Sequence, residues 1–134
     1  MPYKNPEDRR EYERQWRAKN PDKYNEKSRN YQRRRWKNYP EETKRKQREY
    51  RAKVRERALL AYGGKCTCCG ESNLHFLTFD HINGGGVKER KLTGMTGSTF
   101  YLSLLKNHRD DIQVLCFNCN CARYFYGECP HKNN

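Results

Sequence analysis

Two pairs of cysteines with zinc-knuckle spacing constrain this chain more than any other feature: Cys66 with Cys69, and Cys116 with Cys119. A C-x-x-C turn places two thiolates on one side of a tight bend, and two such turns complete a tetrahedron around one ion at about 2.3 Å. Because the pairs lie far apart in the sequence, one ion would hold two distant segments together. We therefore expect a structural zinc site with these four ligands.

Three further cysteines leave the choice of ligands open. Cys68 and Cys121 offer tighter C-x-C alternatives within the two knuckles. Cys129 and His131, in the segment GECPH, are suited to another metal site, although the sequence indicates no fourth ligand for it. The chain begins without the hydrophobic segment of a secretory signal, and clustered thiols of intracellular proteins hold metal more often than they form disulfides. We therefore expect a cytoplasmic protein.

The basic residues are concentrated in residues 1–58. This arm holds 21 Lys and Arg against 10 Asp and Glu, a net charge of +11, whereas residues 59–134 hold 8 against 6. A positive field confined to one arm is typical of proteins that bind a polyanion, most often nucleic acid. No apolar run approaches the roughly 18 residues of a membrane-spanning helix, and the arm has no broad apolar stripe. We expect double-stranded DNA as the partner, and no membrane.

The arm contains three units of 19 residues, which begin at Pro2, Pro21 and Pro40. The ninth and eleventh places of the units are Arg and Tyr: Arg10, Arg29 and Arg48, and Tyr12, Tyr31 and Tyr50. Proline followed by acidic residues favours a helix start, so we predict three short basic helices.

These helices lack a core of their own, since Val54 is the only Val, Ile or Leu in the arm. We expect the arm to be frayed alone and ordered on a partner. A fully helical unit would be about 28 Å long, close to one turn of B-DNA at ~34 Å, which favours a DNA-binding arm over a solvated charged linker. Further basic residues expected to contact DNA are Arg33, Arg34, Lys88, Arg90 and Lys91.

Residues 59–134 are predicted to form a small α+β domain. The expected elements are a helix ending at Gly63-Gly64, with Leu59, Leu60 and Tyr62 inward, a strand over 75–82, a basic loop over 87–97, a helix over 98–108 capped by Ser98 or Thr99, a strand over 111–116, and a helix over 118–126. The expected core residues are Leu77, Phe79, Ile82, Phe100, Leu104, Leu105, Ile112, Val114, Leu115, Tyr124 and Phe125. This core is thin, so an internal metal staple is expected.

The segment FLTFDHINGGG places an acid and an imidazole where a strand ends. With the knuckles joined, Asp80 and His81 are expected near Asn120, which follows Cys119. Asp80 and Asn120 offer hard oxygen ligands suited to Mg²⁺ or Mn²⁺. His81 is suited to take a proton from water at neutral pH. A divalent ion beside a general base is the minimum apparatus for phosphodiester hydrolysis.

The DHI motif on a strand, followed by LCxxCN and preceded by a C-x-x-C pair, resembles the HNH (ββα-metal, His-Me finger) nucleases over about residues 59–131. The zinc-framed pattern is most similar to the phage endonuclease VII-like branch. The resemblance implies that Asp80 and Asn120 bind the divalent ion, that His81 activates water, and that the products carry 5′-phosphate and 3′-hydroxyl ends. The family often has Asn where this chain has Asp111, to which we assign no metal-binding role.

The leading hypothesis is therefore a metal-dependent DNA endonuclease of homing-like or endonuclease VII-like type. If the chain is phage-encoded, it would act in the host cytoplasm. A non-catalytic zinc-ribbon regulator of DNA would need the cysteines and the arm, but would have no use for Asp80, His81 and Asn120 together. An RNA-binding protein is a third alternative, because the many Tyr and Arg residues can stack on unpaired bases.

Overall fold

The computed structural model describes residues 5–133 and is mostly helical with one small sheet. The elements are α1 (Pro6–Lys19), α2 (Pro21–Asn38), α3 (Pro40–Ala61), β1 (Leu77–His81), α4 (Gly86–Thr93), α5 (Ser98–Lys106), β2 (Ile112–Cys116), α6 (Phe117–Tyr126) and a 3₁₀ turn (Pro130–Asn133). The α+β class is confirmed. The chain divides into two compact units after Lys46. Among the described residues, none of the helices combines the length and the apolar character needed to cross a bilayer.

The junctions between the arm helices repeat with the 19-residue period. At Asn20 the backbone adopts φ −132° and ψ 56°, and its N–H donates to the Trp16 carbonyl at 2.9 Å. At Tyr39 the angles are −136° and 59°, and the N–H donates to the Arg35 carbonyl at 2.8 Å. Helices start at Pro21 and Pro40 as predicted. The expected start at Pro2 lies outside the described residues, and α1 begins at Pro6 with Asn5 as its N-cap.

The first unit buries almost none of its side chains. Among residues 5–46, Thr43 alone is buried, and its hydroxyl donates to the Tyr39 carbonyl at 2.7 Å. Two cation–π contacts connect α1 and α2: the Arg17 guanidinium lies 5.1 Å from the Tyr24 ring centroid, and the Lys27 amine 5.7 Å from that of Trp16. Such contacts are worth about 0.5–1 kcal/mol at exposed sites, far below the cost of ordering the helices.

Helix α3 extends over 22 residues, which contain no internal glycine or proline. Its C-terminal half buries Val54, Ala58 and Leu59, and Arg55 donates to the Leu74 carbonyl at 2.9 Å. The compact second unit therefore begins at residue 47, earlier than the boundary expected after residue 58. Leu60, expected inward, is 57% exposed because it lies on the opposite side of the helix from the buried residues.

Strands β1 and β2 pair in antiparallel register, with Leu77 opposite Cys116 and His81 opposite Ile112. Helix α6 follows β2 directly and packs on both strands. The core of the second unit consists of Leu59, Cys66, Leu77, Val114, Leu115, Cys116, Cys119 and Cys129. Sulfur atoms thus replace many of the aliphatic groups that a domain of this size needs.

Three residues expected in the core are exposed: Ile82, Tyr124 and Phe125. Ile82 follows the last residue of β1, where the sheet no longer covers it. Helix α6 packs through the face that carries Cys119, so its aromatic C-terminal turn lies largely in solvent.

The basic segment expected as a loop contains α4, which is a correction to the sequence prediction. Glycines in the left-handed conformation bound this helix, Gly85 with φ 88° and Gly94 with φ 67°, and the Gly94 N–H donates to the Arg90 carbonyl. Lys, Glu, Arg and Leu between them are good helix formers, which explains the difference. Helix α5 is confirmed, but its N-cap is Gly97 and not Ser98 or Thr99.

Candidate metal centre and active-site cleft

The two knuckles meet as the cysteine spacing predicts. The ligand sulfurs of Cys66, Cys69, Cys116 and Cys119 all lie within 4.8 Å of one another. The Cys69 and Cys116 sulfurs are 3.7 Å apart. A tetrahedral ion about 2.3 Å from each sulfur separates its ligands by about 3.8 Å, so the donor set and its spacing fit zinc.

Local backbone structure holds each knuckle in place. In the first, the Cys66 N–H donates to the Glu71 carbonyl at 2.8 Å, and Gly70 supplies the left-handed residue of the turn. The Thr67 N–H donates to the Val114 carbonyl at 2.9 Å, which joins this turn to β2. In the second knuckle, Cys116 ends β2 and caps α6.

The electrostatics of the sulfur cluster favour a bound cation. Burial raises the pKa of the Cys119 thiol, and the neighbouring sulfurs of Cys116 and Cys129 raise it further. Burial also raises the pKa of the Cys66 thiol, but backbone hydrogen bonds from Cys69 and Cys116 outweigh it and lower the value to about 7. A bound dication would favour the ionised form of the Cys119 thiol, against the effect of burial.

Two of the three remaining cysteines, Cys68 and Cys129, lie beside Cys119. Cys68, Cys119, Cys129 and His131 form a second group whose ligand atoms also lie within 4.8 Å of one another. The sequence indicated Cys129 and His131 as metal ligands but did not indicate their partners. Cys119 had already been assigned to the C-x-x-C pair with Cys116, so its spacing gave no sign of a second group. Cys121 is exposed and belongs to neither group.

A cleft of about 390 Å³ lies at the end of β1. Asp80 and His81 line it together with residues of α4 and α5, and Tyr124 of α6 contributes one wall. The side chains of Asp80 and His81 are half-buried. The structure therefore brings the predicted acid and imidazole to one concave surface.

The His81 ring is fixed by a chain of charged groups. Its Nε2 lies 3.0 Å from Glu89 Oε2. Arg109 donates to both oxygens of Glu89, at 2.6 and 2.9 Å, and also to Asp111 at 2.6 and 2.9 Å. Hydrogen bonds from Arg109 hold the pKa values of Glu89 and Asp111 below their usual range, so both remain anionic. Asp111 is thus connected to His81 through Arg109 and Glu89.

Gly86 makes room for the imidazole. A Cβ on this residue would lie 2.7 Å from His81 Nδ1, closer than real Cβ contacts come. The third glycine of the GGG segment is therefore required by the position of His81.

The Asp80 carboxylate already has two partners. Gln113, directly opposite on β2, donates from Nε2 to Asp80 Oδ2 at 2.8 Å. Arg123 of α6 forms an ion pair with the same oxygen and also donates to the Ile82 carbonyl. A cation at Asp80 would therefore lie beside the positive charge of the Arg123 guanidinium.

Asn120 is half-buried on α6, one turn before Arg123 and Tyr124. Residues three and four apart share a helix face, so Asn120 lies on the side of α6 that carries these two residues. The cleft lining, among residues 5–133, includes Asp80 and His81 but not Asn120.

Glu89, Arg109 and Arg123 were missed by sequence reasoning. Glu89 is an acidic residue within the basic segment VKERK. This contrast was the one feature of the sequence that could have indicated a functional role for Glu89. The pairing of Arg109 with Glu89 and that of Arg123 with Asp80 carry no local signature, because the partners lie 20 and 43 positions apart in the chain.

The residues predicted to contact nucleic acid are all exposed, on α1 to α4. The repeated tyrosines have nearly equal exposure: 52% for Tyr12 and Tyr31, and 53% for Tyr50. Arg90 belongs both to this basic set and to the cleft lining. The repeat is therefore visible in the environment of each tyrosine as well as in the sequence.

In comparisons with protein-family models, curated proteins and solved structures, no family model, no curated protein and no solved structure matches this chain.

Proposed function

We propose that this chain is a metal-dependent endonuclease of double-stranded DNA, of the HNH (ββα-metal) type. The observation that carries the proposal is that Asp80 and His81, adjacent at the end of β1, line one cleft beside a helix that begins at a cysteine knuckle. The order of two antiparallel strands followed directly by a helix supports the assignment to this type.

His81 serves as the general base. With the proton on Nε2 donated to Glu89, the lone pair of Nδ1 accepts a proton from water. Glu89 fixes the tautomer and the ring orientation, as a carboxylate behind a catalytic imidazole does in other hydrolases. Because Gly86 has no Cβ, no side-chain atom of this residue lies against Nδ1.

Asp80 and Asn120 would hold Mg²⁺ or Mn²⁺. Their carboxylate and amide oxygens are the hard donors that these ions prefer. The ion pair with Arg123 shows that the Asp80 site already favours positive charge. When bound, such an ion stabilises negative charge on the leaving oxygen of a phosphodiester.

The arm would hold the substrate. Its Arg and Lys side chains neutralise backbone phosphates, and its exposed tyrosines at a fixed period offer repeated contacts along a duplex. An arm that contacts an extended duplex favours a site-selective nuclease, of the homing-like or endonuclease VII-like kind found in phages.

Incubation of the purified protein with supercoiled plasmid tests the proposal. Nicked or linear products are expected with Mg²⁺ or Mn²⁺ and not with EDTA. The His81→Ala variant should lose cleavage by at least about 10²-fold while it retains DNA binding. His75→Ala changes an exposed histidine outside the cleft and should cleave normally. Absence of cleavage by the wild type with either ion would refute the proposal.

The Arg123–Asp80 ion pair favours one second candidate, a non-catalytic zinc protein that regulates DNA. In that protein Arg123 would be a permanent partner of Asp80. The Arg123→Gln variant distinguishes the two functions. A nuclease should then reach half-maximal cleavage at a Mg²⁺ concentration several-fold lower, because the competing guanidinium is gone. A regulator should show lower stability and no cleavage at all.

A further inference from the structure

We infer that the second unit holds two zinc ions, which share the thiolate of Cys119. The first ion is bound by Cys66, Cys69, Cys116 and Cys119, and the second by Cys68, Cys119, Cys129 and His131. This inference concerns the metal content alone and does not rest on the proposed nuclease function.

The distances in the second group are those of ligands around one ion. His131 Nδ1 lies 3.3 Å from the Cys119 sulfur and 3.5 Å from the Cys129 sulfur. Zinc at about 2.3 Å from sulfur and about 2.0–2.1 Å from nitrogen separates a tetrahedral S–N ligand pair by about 3.5 Å. The group is therefore preformed, with a soft donor set of three thiolates and one imidazole that suits zinc.

Cys119 is the only ligand that the two groups have in common, and its side chain is completely buried. It lies at the start of α6, between the first knuckle and the 3₁₀ turn that carries His131. A thiolate sulfur has more than one lone pair, so it can bind two ions at once. One shared sulfur allows seven ligands to complete two tetrahedra.

The two-zinc cluster has the same net charge as a single zinc site with four thiolates. One zinc ion with four thiolates carries two negative charges. Two zinc ions with six thiolates and a neutral imidazole also carry two negative charges. The second ion thus adds no net charge to the cluster, because its two positive charges replace the two protons that Cys68 and Cys129 release when they bind it.

The second ion also explains how the C-terminal segment is held. Residues 128–132 have few apolar groups, yet Cys129 is buried and packs in the core. The contacts of Cys129 and His131 with Cys119 connect this segment to α6. An ion at this point fixes the segment with four ligands from three separate parts of the chain.

Native mass spectrometry and elemental analysis of the full chain, purified with zinc and then desalted, test the inference. The wild type is expected to hold two zinc ions per chain. Cys129→Ser and His131→Asn are each expected to hold one, and Cys121→Ser, a matched cysteine outside both groups, is expected to hold two. One zinc ion per wild-type chain, or two in both Cys129→Ser and His131→Asn, overturns the inference.

A second measurement needs no variant and so does not depend on whether the variants fold. After exchange with ¹¹³Cd, the wild type is expected to give two ¹¹³Cd resonances of equal intensity, split by coupling between the two ions through the shared sulfur. A single resonance, or two resonances without mutual coupling, contradicts the sharing of Cys119.

Discussion

The imidazole of His81 and the carboxylate of Glu89 lie 3.0 Å apart, with Glu89 held in turn by two hydrogen bonds from Arg109. The carboxylate fixes the imidazole in one orientation toward the cleft. Glu89 is therefore a positioning residue for His81 in the proposed nuclease.

Replacement of Glu89 by Gln should lower the rate constant of plasmid cleavage by about 10–10²-fold, because a neutral amide orients the ring less well. The concentration of DNA at half-maximal rate should change little, since Glu89 does not contact the substrate. Single-turnover kinetics measure both quantities. The Glu128→Gln variant removes an exposed acid outside the network and serves as control. An equal loss in the control, or no loss in Glu89→Gln, would contradict the assignment.

Gly86 and Gly84 form a matched pair of substitutions. In Gly86→Ala the new Cβ meets His81 Nδ1 at 2.7 Å, so the ring must move and cleavage should fall at least about 10-fold. Gly84→Ala meets nothing within 4 Å but has φ +71°, so it should cost roughly 1 kcal/mol of stability and leave cleavage intact. Thermal melting and plasmid cleavage measure the two effects. Normal cleavage by Gly86→Ala would show that cleavage does not require the His81 ring in the position that it has in this structure.

Removal of zinc should unfold the second unit. Structural zinc in small domains contributes about 10–16 kcal/mol of apparent binding free energy, far more than this sulfur-rich core can replace. Cys66→Ser, or a strong chelator, should therefore abolish the cooperative melting of β1, β2 and α6, followed by circular dichroism and zinc content. Cys121→Ser should melt like the wild type. A native melting curve for Cys66→Ser would show that the four-cysteine site does not support the fold.

The Arg109 network predicts a pH dependence of stability. Arg109 lowers the pKa values of Glu89 and Asp111 from ordinary values of 4.5 and 3.8. A group with a lowered pKa in the folded state stabilises it above the unfolded pKa and loses this effect as pH falls through the folded pKa. The wild type should therefore exceed Arg109→Gln in unfolding free energy by about 1–3 kcal/mol at pH 7.

This difference should shrink as the pH falls below about 4.5, as measured by urea unfolding of both proteins. Zinc content is measured at each pH, and the comparison uses only the pH values at which both proteins retain their zinc. A difference that stays constant or grows with acidity would contradict the assigned network.

Charge on the arm should control the salt dependence of DNA binding. Replacement of Arg10, Arg29, Arg33 and Arg34 by Gln should lower the slope of log affinity against log salt by up to about 3–4, near 0.9 for each phosphate that is no longer neutralised. Lys65 and Lys106, exposed basic residues of the second unit, provide a control pair of Lys→Gln substitutions. Fluorescence anisotropy at several salt concentrations measures the slopes. An unchanged slope would mean that the arm does not bind phosphates.

The sequence was sufficient for the features that rest on local patterns. The C-x-x-C spacing predicted the cluster of Cys66, Cys69, Cys116 and Cys119, and the apolar segments around Leu77 and Val114 predicted both strands. Proline positions predicted the starts of α2 and α3.

Features that depend on tertiary packing were not accessible from the sequence. The partners of Arg109 and Arg123 are set by how α4 and α6 approach the sheet, which no local pattern records. Tyr124 belongs to the expected core but is exposed, because only the face of α6 that carries Cys119 is covered. The expected meeting of Asp80, His81 and Asn120 at one ion stays a prediction.

The two arm junctions have a consequence for how such a protein can change over evolutionary time. Because Asn20 and Tyr39 repeat the same backbone angles and the same hydrogen bond, a whole unit can be duplicated or deleted without a new kind of joint. Arm length would then vary in discrete increments of one helix of about 28 Å. Variants that differ by one unit would cover longer or shorter stretches of a linear polymer with an unaltered second unit.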